Sequence, residues 1–240
     1  MKGFYHSLGK LGVYAQFVLW LFAFYWTDSE IFAGIISNME FPNNSLFLLL
    51  IVFIQILLFR NFYYAAKKHS FAKDMPLNYQ EKETFTQCKK CNIRRKNRAH
   101  HCRYCNKCIE EMDHHCFSLN NCIGKKNYHY FIGYIFLVEI NSSIIFWCTL
   151  YKLVHYFKEI SLIYKLKYGI LVLVSFAASF GVFFLLCFHV YLSLVDLTTL
   201  EFNYTSLRVS EVKKENKYND KNWTSYLVDI FKKIIRLFCP

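Results

Sequence analysis

Proline and glycine are scarce in this chain, 3 and 8 among 240 residues, and neither a low-complexity tract nor an internal repeat stands out. A linker-rich or repetitive architecture is therefore not expected. Acidic residues are outnumbered 17 to 29 by Lys and Arg, which leaves a formal net charge of +12. No basic residue occurs from Thr27 to Asn44. No small-residue cleavage site follows a short apolar run behind a basic start, so the first apolar segment is expected to be its own anchor rather than a removable signal peptide. After Cys122 no cysteine occurs before Cys148, which removes the further paired-cysteine site that a RING-type ubiquitin ligase would need.

What is present is apolar surface, with 55% hydrophobic and 20% aromatic residues, too much for an ordinary soluble domain of this length. A bilayer core about 30 Å thick asks for roughly 20 apolar residues per helix. Four stretches come close to or exceed that length. They begin near Leu11, Ser45, Tyr130 and Tyr168, and end near Ile36, Ala66, Val154 and Val195. Asp28 and Glu30 take the first out of the hydrocarbon near Trp26. The expected architecture is an α-helical integral membrane protein with four transmembrane helices and a polar insert between the second and third. In residue numbers, helices 1 and 2 fill 1–66, the insert 67–129, helices 3 and 4 130–195, and a tail 196–240.

Basic residues set the orientation, because 15 Lys or Arg lie from Arg60 to Lys126, 8 follow Val195, and the Thr27–Asn44 loop has none. Both termini and the insert are expected in the cytosol. The same distribution makes anionic lipid a simpler partner for the positive charge than nucleic acid, and no nucleic acid is expected. Within the third helix, Glu139 and Asn141 are expected to face the bundle interior or the interface rather than lipid. From Ser225 to Phe238, apolar residues recur at helical spacing opposite Asp229, Lys232, Lys233 and Arg236, the pattern of an amphipathic helix.

Seven of the ten cysteines lie between Cys88 and Cys122, on the expected reducing side of the membrane, so metal or thiol chemistry is favoured over disulfides. The order is Cys88-x2-Cys91, His101-Cys102-x2-Cys105-x2-Cys108, Asp113-His114-His115-Cys116 and Cys122, dense in soft ligands at zinc spacings. Two tetrahedral sites, each of three cysteines and one histidine, consume six cysteines and leave one. Cys116 is the candidate for that odd thiol, because Asp113-His114-His115 beside it offers a base and a residue to orient the base. With few large apolar side chains, the insert needs zinc for folding energy, which makes both ions structural. A zinc-stabilised membrane scaffold, in which the motif is silent, is the competing reading.

These residues resemble the DHHC palmitoyltransferases, the zinc-finger DHHC protein S-acyltransferases. The resemblance continues through Cys122-Ile123-Gly124, Asn127 and Phe131, then Thr198-Thr199-Leu200-Glu201 as the family's Thr-Thr-x-Glu motif, and Asn222-Trp223. It implies one zinc on Cys88, Cys91, His101 and Cys108 and another on Cys102, Cys105, His115 and Cys122. It further implies that His114 activates Cys116, that Asp113 holds the imidazole, and that Thr198 bonds Asp113 from the tail, with Thr199, Glu201, Asn127 and Asn222 in support. Palmitoyl-CoA is the implied cosubstrate. Cysteines of membrane-associated proteins are the implied acceptors, and an endomembrane or the plasma membrane is the implied location. Arg94, Arg95, Lys96, Arg98 and His100 are candidates to meet the CoA phosphates. Three departures stand out: Phe117-Ser118 replaces the family's Pro-Trp, Asn97 replaces a proline, and the C-terminal element lacks Val-Phe-Gly.

Overall fold

The computed structural model describes residues 43–75, 85–96, 98–207 and 232. The first expected membrane helix, the amphipathic Ser225–Phe238 segment, Asn97 and Asn222-Trp223 lie outside the described residues. Three helices among those described are long and apolar enough to cross a membrane: α1 (Asn43–Lys67), α2 (Tyr128–His155) and α3 (Leu162–Leu194). The expected count of four thus has three counterparts here. α3 starts six residues before the apolar run that marked it, because Ser161 opens the helix by accepting the Lys165 N–H at 3.0 Å. Its 33 residues span about 50 Å, more than a hydrocarbon core requires.

By its contacts the chain divides into two units. Of the described residues, one includes 43–61 and Gly133–Cys187. Within it, Ile54 and Leu58 of α1 pack on Leu137 of α2. Gly133 makes room for Asn61, whose Oδ1 would lie 2.6 Å from any Cβ placed there. Several polar side chains of this apolar unit bond to one another. Gln55 Nε2 donates to Asn141 Oδ1 at 2.7 Å, and Glu139 Oε1 accepts from Ser143 at 3.0 Å and from Ser179 at 2.7 Å. In hydrocarbon no water would replace those bonds, which is why Glu139 and Asn141 turn inward as expected.

The other unit includes, of the described residues, 62–75, 85–96, 98–132 and 188–207. Its centre is three antiparallel hairpins: β1 (Phe85–Cys88) with β2 (Ile93–Lys96), β3 (His100–Cys102) with β4 (Lys107–Ile109), and β5 (His114–Cys116) with β6 (Asn121–Ile123). The hairpins correct the expectation of no internal repeat. Cys88, Cys102 and Cys116 each end a first strand at 14-residue intervals, and each is followed four positions later by an Asn at positive φ: Asn92, Asn106 and Asn120. Asparagine tolerates that left-handed conformation better than other residues with a Cβ, so the same turn closes all three hairpins. The repeat escapes a scan for hydrophobic period because it is carried by Cys, His and Asn, not by apolar residues.

Strands of three or four residues do not hold together alone, and the buried apolar cluster here is small: Cys102, Ile109, Met112 and Cys122. Two asparagines bind the hairpins to the chain around them. Asn127 is fully buried, donates to Ala65 O and Cys122 O, and accepts from Gly124 N and Ser70 Oγ. Asn121 donates to Ala65 O and Lys68 O and accepts the Cys122 N–H, with His69 Nδ1 at 2.9 Å. All four hydrogen-bonding positions of each amide are filled.

α3 ends in a Schellman turn. The Leu197 N–H reaches Leu192 O at 3.0 Å and Asp196 takes φ 55° at the position where glycine is usual. α4 (Thr199–Leu207) follows at once, opened by a capping box. The Glu201 N–H donates to Thr198 Oγ1 at 3.2 Å and the Thr198 N–H donates to Glu201 Oε2 at 2.8 Å.

Candidate active site and metal centres

The register of the hairpins decides which thiols meet. His101 faces Cys108 across the second hairpin and His115 faces Cys122 across the third. Cys88 and Cys91, at the turn of the first hairpin, join the His101–Cys108 pair, and Cys102 and Cys105, at the turn of the second, join the His115–Cys122 pair. In each quartet the donor atoms all lie within 4.8 Å of one another. These are the two sets that the family resemblance implied.

The donor set fits zinc. A tetrahedral zinc ion at its usual Zn–S distance holds its sulfurs about 3.8 Å apart. Here Cys91 Sγ is 3.2 Å and Cys88 Sγ 3.7 Å from His101 Nδ1, while Cys102, Cys105 and Cys122 lie 3.7, 3.4 and 3.4 Å from His115 Nδ1. Such crowded thiols resist sharing negative charge. Burial and then the neighbours Cys88 and Cys91 push Cys108 up to about 12, and Cys102 pushes Cys105 up to about 11. A divalent cation relieves that repulsion, so three thiols and an imidazole at this spacing describe a closed structural site.

The third hairpin departs from the other two at its turn. Leu119, 1% exposed, stands where the repeat would place a second cysteine, and Cys116 belongs to neither quartet. Beside it, His114 Nδ1 lies 2.7 Å from Asp113 Oδ2, which leaves the other ring nitrogen as the one free to face the thiol. Burial lowers the His114 pKa, but the hydrogen bonds to Asp113 and Cys116 outweigh it and hold it at about 9. Burial likewise raises Asp113, and the bonds from His114 and the Thr199 backbone reverse that and keep the carboxyl below its ordinary range. His100 occupies the equivalent place one repeat earlier, with Ala99 where Asp113 stands, so its neighbour in the chain supplies no carboxylate.

The contact from the tail to Asp113 is made by Thr199, not by Thr198. The Thr199 N–H donates to Asp113 Oδ1 at 2.8 Å and its hydroxyl donates to Oδ2 at 2.8 Å. Thr198 instead caps α4, because a capping threonine must turn its hydroxyl back toward its own helix. Glu201 closes the box and also receives Arg98 in two prongs, Nε to Oε1 at 2.8 Å and Nη2 to Oε2 at 2.9 Å. Arg98 further reaches Asp196 Oδ1 at 3.4 Å.

Of the residues expected near CoA phosphates, Arg98 thus has its guanidinium committed to the tail. His100 stacks on Tyr204 with ring centres 6.4 Å apart, and burial followed by the charge of Arg95 lowers its pKa. Arg95 carries Nε and Nη1 atoms that are buried and have no hydrogen-bond partner among the described residues. Phe117 packs edge-on against Tyr104 at 4.9 Å and His115 at 5.0 Å.

Sequence reasoning missed Asn121 and Ser70, whose spacing carries no motif but whose bonds anchor the hairpins. It gave no role to His189, which stands in no motif. His189 lies 6.1 Å from the His114 ring and bonds Tyr128, as developed below.

A chain with apolar helices, two zinc-type quartets and a lone thiol beside an Asp–His pair has the parts of a membrane-associated acyltransferase. The family model for DHHC palmitoyltransferase matches residues 81–205, just over half of the chain and all of the hairpin repeat. The chain belongs to the DHHC palmitoyltransferase family. No curated protein is significantly similar to it.

Proposed function

We propose that the protein moves a long-chain acyl group from palmitoyl-CoA to cysteines of membrane-associated proteins, through an acyl thioester on Cys116. The observation that carries this reading is that Cys116 is the hairpin cysteine outside both quartets and adjoins the Asp113–His114 pair. In the first half-reaction His114 already holds the Sγ proton, as its raised pKa requires at neutral pH, and Cys116 attacks the thioester carbonyl as the thiolate paired with that imidazolium. The C–S bond to CoA breaks, and CoA leaves as a thiol with the proton returned by His114. In the second half-reaction an acceptor cysteine gives its proton to His114 and attacks the acyl-Cys116 carbonyl. Cys116 leaves and recovers the proton. One thioester is exchanged for another in each step, so no external energy source is needed. Asp113 keeps the imidazole in one tautomer and stabilises it when protonated.

Zinc, held by Cys88, Cys91, His101 and Cys108 and by Cys102, Cys105, His115 and Cys122, supplies folding free energy to the hairpins. Arg95 is the residue best placed to meet a CoA phosphate, since two of its buried donors lack partners among the described residues. The reading includes four membrane spans, with the 67–129 insert, the 196–240 tail and both termini in the cytosol of an endomembrane or plasma membrane protein. A C16 acyl chain, at about 0.8 kcal/mol per CH2, then partitions into the bilayer while CoA stays in water. Asn222 would support the tail.

The test is hydroxylamine-sensitive incorporation of labelled palmitate from palmitoyl-CoA into purified protein. The native chain should label, and Cys116→Ser and His114→Ala should not. Equal labelling of Cys116→Ser, or no labelling of zinc-loaded native protein, would favour the scaffold reading, which the Phe117-Ser118 departure supports.

A further inference from the structure

His189 is a buried polar residue that the mechanism above does not use. It lies in the last turns of α3, 2% exposed, and its ring is walled by aromatic rings: Phe131 at 5.1 Å, Phe188 at 5.7 Å and Tyr128 at 5.8 Å. Its ring makes one close hydrogen bond, with Nδ1 3.1 Å from Tyr128 Oη. If packing alone mattered, phenylalanine or leucine would fill this place without the cost of burying an imidazole. What histidine adds is a fixed ring plane, because the bond to Tyr128 removes the rotation a phenyl ring keeps.

That plane bears on His114. Asp113 grips one nitrogen of the His114 ring, which sets where the ring points but leaves its tilt to whatever packs against its faces. Phe131 is that wall, 5.2 Å from His114 and near-perpendicular at 68°, and Phe131 stands at 78° to His189 in turn. Tyr128, His189, Phe131 and His114 form one continuous stack. We propose that His189, hydrogen-bonded to Tyr128, is a positioning residue for acyl-enzyme formation: it holds Phe131 against His114 and so fixes the plane in which that imidazole meets Cys116. The inference rests on the S-acyltransferase reading and adds to it a polar anchor one ring removed from the His114 imidazole.

The test is single-turnover acylation of the full-length zinc-loaded protein by palmitoyl-CoA, with rate and half-saturating concentration measured separately. Tyr128→Phe removes one hydroxyl and keeps the ring, and His189→Phe keeps the aromatic volume. Each is expected to slow acylation about tenfold at saturating palmitoyl-CoA, since small misplacements of a catalytic group carry losses of that order or more. Half-saturation and two zinc ions per chain should be retained. The double variant should be no slower than the slower single one, because both substitutions delete the same bond. Native rates in Tyr128→Phe, additive losses, or a loss that tracks missing zinc would each overturn the positioning role. If the native chain forms no acyl-enzyme, the acyltransferase reading falls and this inference with it; native activity beside fast variants overturns this inference alone.

Discussion

Replacing Thr199 by valine removes a hydroxyl and nothing else of consequence in volume. That hydroxyl donates to Asp113 Oδ2 at 2.8 Å, and Asp113 is 1% exposed. The carboxylate has three donors in the structure, His114 Nδ1, the Thr199 N–H and the Thr199 hydroxyl, so the substitution leaves it with two. A hydrogen bond to a charged group contributes about 1.5–3 kcal/mol. If the whole of it orients Asp113 for His114, acylation slows by a factor of about 10 to 150. The expected outcome is a single-turnover rate at least about tenfold below native with two zinc ions retained, and recovery in Thr199→Ser, which keeps the donor. Thr198→Val should differ in kind: it loses the cap of α4, costs about 1 kcal/mol of stability and leaves both bonds to Asp113 in place. Native speed in Thr199→Val, or a slow Thr199→Ser, would refute the reasoning.

Asn127→Ala should lose most of its zinc at a chelator concentration that spares the native chain, because it breaks four buried hydrogen bonds, on the order of 4 kcal/mol in all. Gly124→Ala should weaken zinc retention as well, since the new Cβ would lie 2.6 Å from the Glu110 carbonyl oxygen, whereas Gly181→Ala meets nothing within 4 Å and should match native protein. Burial raises the Glu201 carboxyl and the bonds from Arg98 outweigh it, so its folded pKa is depressed. Its contribution to stability is therefore full above the carboxyl's unfolded value and lost as pH falls through the folded one; thermal midpoints of zinc-loaded protein should fall less steeply on the acid side in Glu201→Gln than in native protein.

The two-site ligand count and the odd Cys116 were legible in the sequence because soft ligands in pairs separated by two residues have few other uses, while the division into quartets came only from the family resemblance; the apolar runs of α1, α2 and α3 were legible because a bilayer leaves long unbroken stretches. The triple hairpin was not, since its strands of three or four residues are too short for alternation to register, and the period sits in Cys88, Cys102 and Cys116 and the asparagines after them. Thr198 was assigned to Asp113 where Thr199 makes the bond. In a capping box the first threonine is bound to its own helix by geometry, and the sequence alone does not say that the box is a helix start. His189 had no neighbour in sequence to give it meaning; it acquires one only where α3 meets the start of α2.

The hairpin repeat behaves as an open linear array. Each metal site takes the turn of one copy and the cross-strand pair of the next, so three copies close two sites and leave both ends unmatched. At the leading end the orphan pair positions hold Gln87 and Arg94, which face each other where later copies place histidine and cysteine. At the trailing end the orphan turn holds Cys116 with Leu119. A fourth copy would have drawn Cys116 into a third site. The thiol proposed as nucleophile thus owes its place outside both quartets to a boundary: the array stops there and α2 begins.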